Sequence, residues 1–335
     1  EPLMEANQTV AYAQFARTDL PKTANVANQE SAATDKETPK LKIEDKKKAS
    51  QLIIKGNQLT VAFNKSTGLL EQYNVAGKSL LAEGGTLQPN FWRAPTDNDM
   101  GANLQNKFAV WRNPQLQLTS IKAAKNKNSH AIDVVATYNM PEVKATLTIT
   151  YSLIDNQGTM RVTQKMDATD GEKVADMFRF GMQMQLPYNM DQSLYYGRGP
   201  IENYSDRKDC MRIGIYKQTA DQQFFPYIRP QENGTKSDIR RWTQTTADGF
   251  GFTVVADKPF YASALHYNIS DLDDGKGKEQ RHSYQVAQSK YTNLYIDSDH
   301  YGVGGTNSWG AWPLDQYRLH YGNHSFSFTI TPKLP

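Results

Sequence analysis

A single cysteine, Cys210, in 335 residues excludes an internal disulfide, and no histidine or cysteine ligand spacing surrounds it, so it reads as a packing residue. No run of 18 apolar residues occurs, which excludes a membrane-spanning helix. The opening EPLMEANQTV lacks the basic and apolar regions of a signal peptide. Charge of one sign is also missing. The 38 basic and 35 acidic residues are interspersed, so nothing forms the basic stripe that a nucleic-acid backbone requires. Finally, no apolar stripe of period 3.6 persists over three turns; FAVWRN at 108–113 is predicted to make one helical turn at most.

Aromatic residues and two-residue alternation are abundant instead. Tyrosines number 18 against 13 phenylalanines, an excess of rings with a polar tip that suits contact with carbohydrate. Leu59, Val61 and Phe63 alternate with small or polar residues, as do Leu147, Ile149, Tyr151 and Leu153, and then Phe326, Phe328 and Ile330. Each run predicts an antiparallel strand buried on one face. Turn-forming clusters (NKSTG, DNQG, TDGE, ADG, DDGKG, YGN) separate such runs, which predicts an all-β fold built as one large antiparallel β-sandwich. Residues 9–16 read as one strand, while 17–50 have the polar, charged composition of a linker. The chain therefore divides into a terminal strand of a preceding domain (1–17), a linker (18–50) and the sandwich (51–335).

Several chemical signatures fail on inspection. GVGG at 302–305 is not a dinucleotide fingerprint, because no βαβ unit or following helix accompanies it. TNSWG carries Thr306 where a nucleophile elbow needs glycine, so Ser308 is not a hydrolase serine. DNDMG (Asp97, Asn98, Asp99) starts like a calcium loop but ends on Phe108 where a bidentate carboxylate belongs. DLDDGKGKE (Asp271, Asp273, Asp274, Glu279) reads as a solvated acidic turn, and His266 and His320 read as hydrogen-bonded histidines on strands. Glu202, Glu232 and Asp299 are candidate carboxylates for sugar chemistry, yet each has an ordinary reading as a turn or ion-pair residue. GVGGTNSWGAW at 302–312 is different: it sets indoles among glycines, a surface suited to a partner with an apolar face, such as a sugar ring.

FWRAPTDNDMG (91–101), YYGRGPIENYSDR (195–207), PYIRPQENG (226–234) and GVGGTNSWG (302–310), in that order, resemble the C-terminal domain, or small chain, of the family 2 β-galactosidases. The resemblance spans about 50–335, and YAQFAR at 12–17 resembles the closing strand of the immunoglobulin-like domain preceding it in those enzymes. It implies a galactose-mutarotase-like supersandwich. It also implies that the two catalytic glutamates lie on a TIM barrel outside this chain, with most of the magnesium and sodium sites. This chain is then expected to hold no catalytic residue, cofactor or metal ligand, and to be inactive alone. Its partners are expected to be the galactoside and, within the parent polypeptide, the barrel. By position in the motif, Trp309 corresponds to the tryptophan that stacks on the sugar, whereas Trp312 is expected to pack inward. Asn307, Ser308, Asp97, Asn98, Arg198 and Glu202 are the further candidate sugar contacts. Arg93, Asp99, Asn203, Asp206 and Arg207 are expected to brace loops. Arg229 departs from the family pattern, as do Thr306 and Asn307, which stand in place of an acidic pair. Two other functions are weighed: an aldose epimerase, needing His266 or His320 to face Glu202 or Glu232, and a free-standing carbohydrate-binding module. Cytoplasm and periplasm of a bacterium are both compatible with the sequence.

Overall fold

The computed structural model describes residues 8–15, 41–129, 131–277, 281–307 and 309–335. Alternation becomes strand wherever one face can be buried. The first six strands are β1 (Lys42–Glu44), β2 (Gln51–Lys55), β3 (Leu59–Asn64), β4 (Leu70–Val75), β5 (Lys78–Ser79) and β6 (Leu87–Asn90). A central group follows: β7 (Gln117–Lys125), β8 (Ile132–Met140), β9 (Ala145–Leu153), β10 (Met160–Ala168), β11 (Arg179–Pro187), β12 (Gln192–Gly199) and β13 (Arg212–Thr219). The last are β14 (Lys236–Ile239), β15 (Arg241–Thr245), β16 (Gly251–Ala256), β17 (Phe260–Leu265), β18 (Tyr291–His300) and β19 (His324–Lys333). The helical segments are short: α1 (Asp97–Gly101), α2 (Leu104–Lys107), α3 (Ala220–Gln223) and α4 (Ile269–Leu272). The turn expected near 108–113 is a single 3-10 turn, Ala109–Arg112.

All pairings are antiparallel and form two sheets. One runs β1-β2-β3-β4-β6-β11-β18-β17-β14, with β5 beside β4; the other runs β13-β12-β15-β16-β19-β10-β9-β8-β7. Their inner faces share one core, in which Phe63 of β3 meets Tyr151 of β9 with ring centroids 4.9 Å apart. β9 shows why the alternation reads so clearly. Its odd-numbered residues from Ala145 to Leu153 are buried and the even-numbered ones are not, so a one-residue slip would expose the whole apolar set. Five of the six predicted turn clusters lie outside the strands, and NKSTG begins on Asn64, the last residue of β3.

Three local readings change. Residues 8–15 form no strand. They lie beside β13 through side chains: the Gln14 carboxamide donates to Ile213 O (2.8 Å) and accepts from Ile213 N (2.7 Å), standing in for one rung of a ladder. Arg212 sits 4.3 Å over the Tyr12 ring. Within the stretch read as linker, Lys42–Glu44 pairs with β2 as an edge strand, with Ile43 packed against the core and Lys42 exposed. Cys210, expected to pack, is exposed in the turn before β13.

The long connections between strands are tied to one another. Hydrogen bonds join segments 91–116, 200–211, 220–235, 266–290 and 301–323: Glu232 N donates to Ala94 O (3.1 Å), Asn203 N to Thr235 O (2.8 Å), and Trp92 Nε1 to Asp273 (2.9 Å).

Candidate functional site: the Trp309 loop and the ionic network beneath it

Beyond β18 the chain cannot continue as a strand, because its glycines take conformations closed to other residues. Gly310 has φ +77°, and a Cβ there would lie 2.7 Å from Gly101 O. A Cβ on Gly302 would lie 2.6 Å from an Asp206 oxygen. At the tip, Asn307 Oδ1 accepts from Trp309 N (2.9 Å) and Ala311 N (3.4 Å), an Asx-type turn. Trp309 is left 90% exposed. Ser308 lies outside the described residues. Trp312 packs inward as expected, edge-on to Phe108 (5.8 Å) and between the cations of Lys107 and Arg318.

The base of the loop is held by the other motifs. Arg93 is fully buried and forms a fork with Asp99 (3.1 and 2.8 Å), which in turn caps α1 through Thr96 N. Its remaining N–H groups donate to Tyr301 O (2.5 Å) and Gly302 O (2.9 Å). Asn98 Nδ2 donates to Val303 O (3.1 Å), and Asp206 accepts from Val303 N (3.0 Å) and Gly304 N (2.9 Å). FWRAPTDND and NYSDR therefore fold as a clamp on 301–304, with Asp99 engaged by the Arg93 guanidinium rather than aimed at a metal ion.

The structure groups the candidate sugar contacts unequally. Asn307 and Asn98 touch the Trp309 loop directly. Exposed Asp97 pairs with Arg229 (3.3 Å) and Gln231 (3.2 Å), so Arg229 braces the neighbouring loop. Glu202 is buried, and both its oxygens are taken, by Arg207 (2.7 Å) and Tyr227 on one side and Gly234 N (2.7 Å) on the other. Arg198 binds Asp238 (2.5 Å) and Met211 O (2.8 Å), away from the loop. Asn203 accepts from Ser237 N (2.9 Å). In the acidic turn, Asp273 takes Arg112, Asp274 lies between Arg229 and Arg281, and Asp271 caps α4; Glu279 lies outside the described residues. Asp299 bonds exposed Lys258.

The two histidines weighed as acids face neither glutamate. His266 sits just past β17, stacked on Tyr188 at 3.9 Å and bonded to Asp221, while His320 lies in the loop before β19, between Asp176 and Asp315. The pair that does meet is His300 and Glu232, 3.8 Å apart and buried. No motif marks it. For His300 and its neighbours Arg179 and Asp297 the signal in the sequence is charge at inward positions of apolar strands, in FRFGM and YIDSDH.

Around that pair lies an ionic network. Arg179 Nη2 meets Glu232 at 2.6 Å and Nη1 meets Asp297 at 3.0 Å, all three buried. Burial pushes Glu232 up, but the adjacent guanidinium outweighs it and holds the carboxyl well below the usual range. Asp297, second on the same cation and with Oδ1 unbonded, is pushed up by burial to about 7. Burial and the Arg179 charge push His300 down to about 4. Its Nδ1 lies 3.2 Å from Arg93, which can only donate, and 3.0 Å from Tyr301 O, which can only accept. A neutral imidazole beside an ionised carboxylate is acid–base machinery in kind, but both groups are sealed from solvent. A cavity of about 370 Å³ lies elsewhere, at the β2–β3 and β4–β5 turns, lined by Gly56, Asn57, Thr60 and Asn74. Among the described residues, no three histidine, cysteine or acidic side chains gather to hold a metal, and no helix is long and apolar enough to cross a membrane.

Lys236 adds a test of this interior. It is buried, its Nζ donating to Gly234 O at 2.6 Å, and burial lowers its pKa to about 7 against the pull of Glu202. Above about pH 7 the unfolded chain keeps a proton that the folded chain gives up, so this residue makes stability rise with pH up to the ordinary lysine value. Urea midpoints at about pH 7 and about pH 9.5 are therefore expected to show wild type gaining on Lys236→Met as pH rises.

A family model described as beta galactosidase small chain matches residues 55–330. The chain is 31% identical over 328 residues to a "Beta-galactosidase" of Priestia megaterium, covering 98% of this chain and 30% of that protein. It is 32% identical over 261 residues to one of Lactobacillus delbrueckii subsp. bulgaricus, covering 77% and 24%. The chain thus spans less than a third of the length of these relatives. Among solved structures it is similar to a galactose 1-epimerase from Lactobacillus acidophilus, with TM-score 0.49, 8% identity, and 88% and 98% of the two chains covered.

Proposed function

Because the chain belongs to the β-galactosidase small-chain family, we propose that it is the C-terminal part of an enzyme hydrolysing terminal β-D-galactosides, and that it completes the pocket without supplying the catalytic carboxylates. The observation that carries this reading is Trp309, 90% exposed on a loop whose base is clamped by two segments. An indole held out in water on a fixed base is suited to stack against the apolar C–H face of galactose. The same loops expose Phe225, Ile228 and Tyr284, the last two above 80%. These form an apolar face suited to packing on the barrel of the parent polypeptide. Magnesium and sodium belong, on this reading, to that barrel. Glycoside cleavage needs two carboxylates flanking an accessible bond. Glu232 and Asp297 share one guanidinium in the interior instead, and Glu202 has both oxygens bonded.

The His300–Glu232 contact favours a second reading, an aldose epimerase, but sugar has no route to it through the packed interior. A carbohydrate-binding module is the third. The isolated chain separates them. It is expected to release no chromophore from a chromogenic galactoside, to leave galactose mutarotation in a polarimeter at its spontaneous rate, and to give no calorimetric heat with galactose or lactose at millimolar concentration. Turnover by the isolated chain overturns the proposal, faster mutarotation supports the epimerase, and millimolar or tighter binding supports the module.

A further inference from the structure

The clamp on the Trp309 loop has two halves that differ in chemistry and in accessibility. On one side Arg93 and Asn98 donate to three consecutive carbonyls, those of Tyr301, Gly302 and Val303. On the other, a single carboxylate, Asp206, accepts the two consecutive amides of Val303 and Gly304. Two successive N–H groups reach one anion only where the backbone curls into a concave nest, and Gly304 supplies the left-handed residue, φ +73°, that makes the curl. Gly302 lets the carboxylate lie against the loop, since a Cβ there would meet it. Asp206 is placed in turn by a tight turn, in which Tyr204 N donates to Arg207 O (3.3 Å) and Arg207 N to Tyr204 O (2.9 Å). Among the described residues, the polar contacts holding the tip beyond Gly304 come from its own Asn307. The direction in which the loop carrying Trp309 leaves the sandwich is therefore set at the nest, five residues before the indole.

We propose that Asp206 is a positioning residue for Trp309: it touches no substrate and acts by fixing the peptide groups that aim the indole. This rests on the role of Trp309 as the wall that stacks on galactose. Arg93 does the same work from inside but cannot be tested cleanly, because its loss strands Asp99 in the interior. Asp206 is half-buried, so its replacement leaves no sealed charge behind. Asp206→Asn keeps the shape, keeps one acceptor, and turns an amide donor towards a backbone N–H.

The test is a double-mutant cycle in the full-length parent enzyme, reading KM, kcat and the thermal midpoint with a chromogenic galactoside. Asp206→Asn is expected to raise KM by about 5-fold with kcat little changed, the mark of lost binding common to ground and transition states. In a Trp309→Ala background the same change is expected to leave KM where Trp309→Ala alone puts it. Gly304→Ala provides a second route to the same nest. Its Cβ has room, 3.6 Å from Asn98 Cβ, but the backbone conformation is strained, so it too should raise KM only when Trp309 is present. If the Asp206→Asn and Gly304→Ala effects persist undiminished without Trp309, Asp206 does not act through the indole and the proposal is overturned. If Trp309→Ala itself leaves KM unchanged, the stacking role of Trp309 has failed, a result distinct from additivity.

Discussion

Trp309→Ala in the full-length enzyme is expected to raise KM for galactosides roughly 30-fold while leaving the thermal midpoint of the chain within about 1 °C of wild type. The two halves of that expectation come from the same number. With Trp309 90% exposed, truncation uncovers little apolar surface and opens no cavity. Stacking on a sugar would cover one indole face, about 100 Å², worth about 2 kcal/mol at 25 cal/mol per Å² once some cost of ordering is allowed. At 1.4 kcal/mol per tenfold this amounts to about 30-fold. Trp309→Phe should recover part of it, since a smaller ring still offers a face to C–H groups. The measurement is KM together with the inhibition constant of free galactose; both should move by similar factors. An unchanged KM, or an equally large loss of thermal stability, would remove the indole from the pocket.

Much of the architecture was legible because period-two alternation is a direct image of burial. In β9 and β19, inward residues are apolar in succession, and the turn clusters fall where chain direction reverses. The outward setting of Trp309 and the inward one of Trp312 were also legible, since the first sits among glycines at the motif's tryptophan position and the second lies outside the motif. Edges and the interior were less so. Residues 8–15 have the composition of a strand, but strand formation needs a ladder partner, and β13 is met through Gln14 instead. Lys42–Glu44 has the composition of a linker because this short edge strand carries a single apolar residue, Ile43. The ionic network was invisible for a different reason. Arg179, Glu232 and the Asp297–His300 end of β18 come from three segments far apart in the chain, and charge in a core strand contradicts the very pattern used to find strands. His266 and His320 drew notice by proximity to apolar runs, whereas His300 belongs to a strand end that the tertiary fold closes over.

That network carries the largest expected effect on stability. Arg179→Ala removes the one cation shared by Glu232 and Asp297 and leaves both carboxyls buried. Breaking a buried pair from one side costs about 3–5 kcal/mol, and for a domain of this size the thermal midpoint should fall by roughly 10 °C. The deficit should also depend on pH with a definite sign. In wild type, Glu232 is held below its ordinary value, so its contribution is present at neutral pH and lost as pH falls through the folded value. Without Arg179, the main counterweight to burial is gone and both carboxyls rise, so the variant's folded state keeps protons that the unfolded chain releases above about pH 4. The gap between wild type and Arg179→Ala is therefore widest at pH 7 and narrows on acidification. Asp297, already raised to about 7 in wild type, contributes less to the narrowing than Glu232. Replacing the whole set, Arg179→Met with Glu232→Gln and Asp297→Asn, should recover much of the loss, because no charge is then left unpaired. Denaturant midpoints of the three proteins across pH 4.5 to 7.5, roughly, test this directly. Through His300 and Arg93 the network lies under the carbonyls of Tyr301 and Gly302, so a pH-independent deficit of under about 1 kcal/mol would mean that the base of the Trp309 loop is held without it.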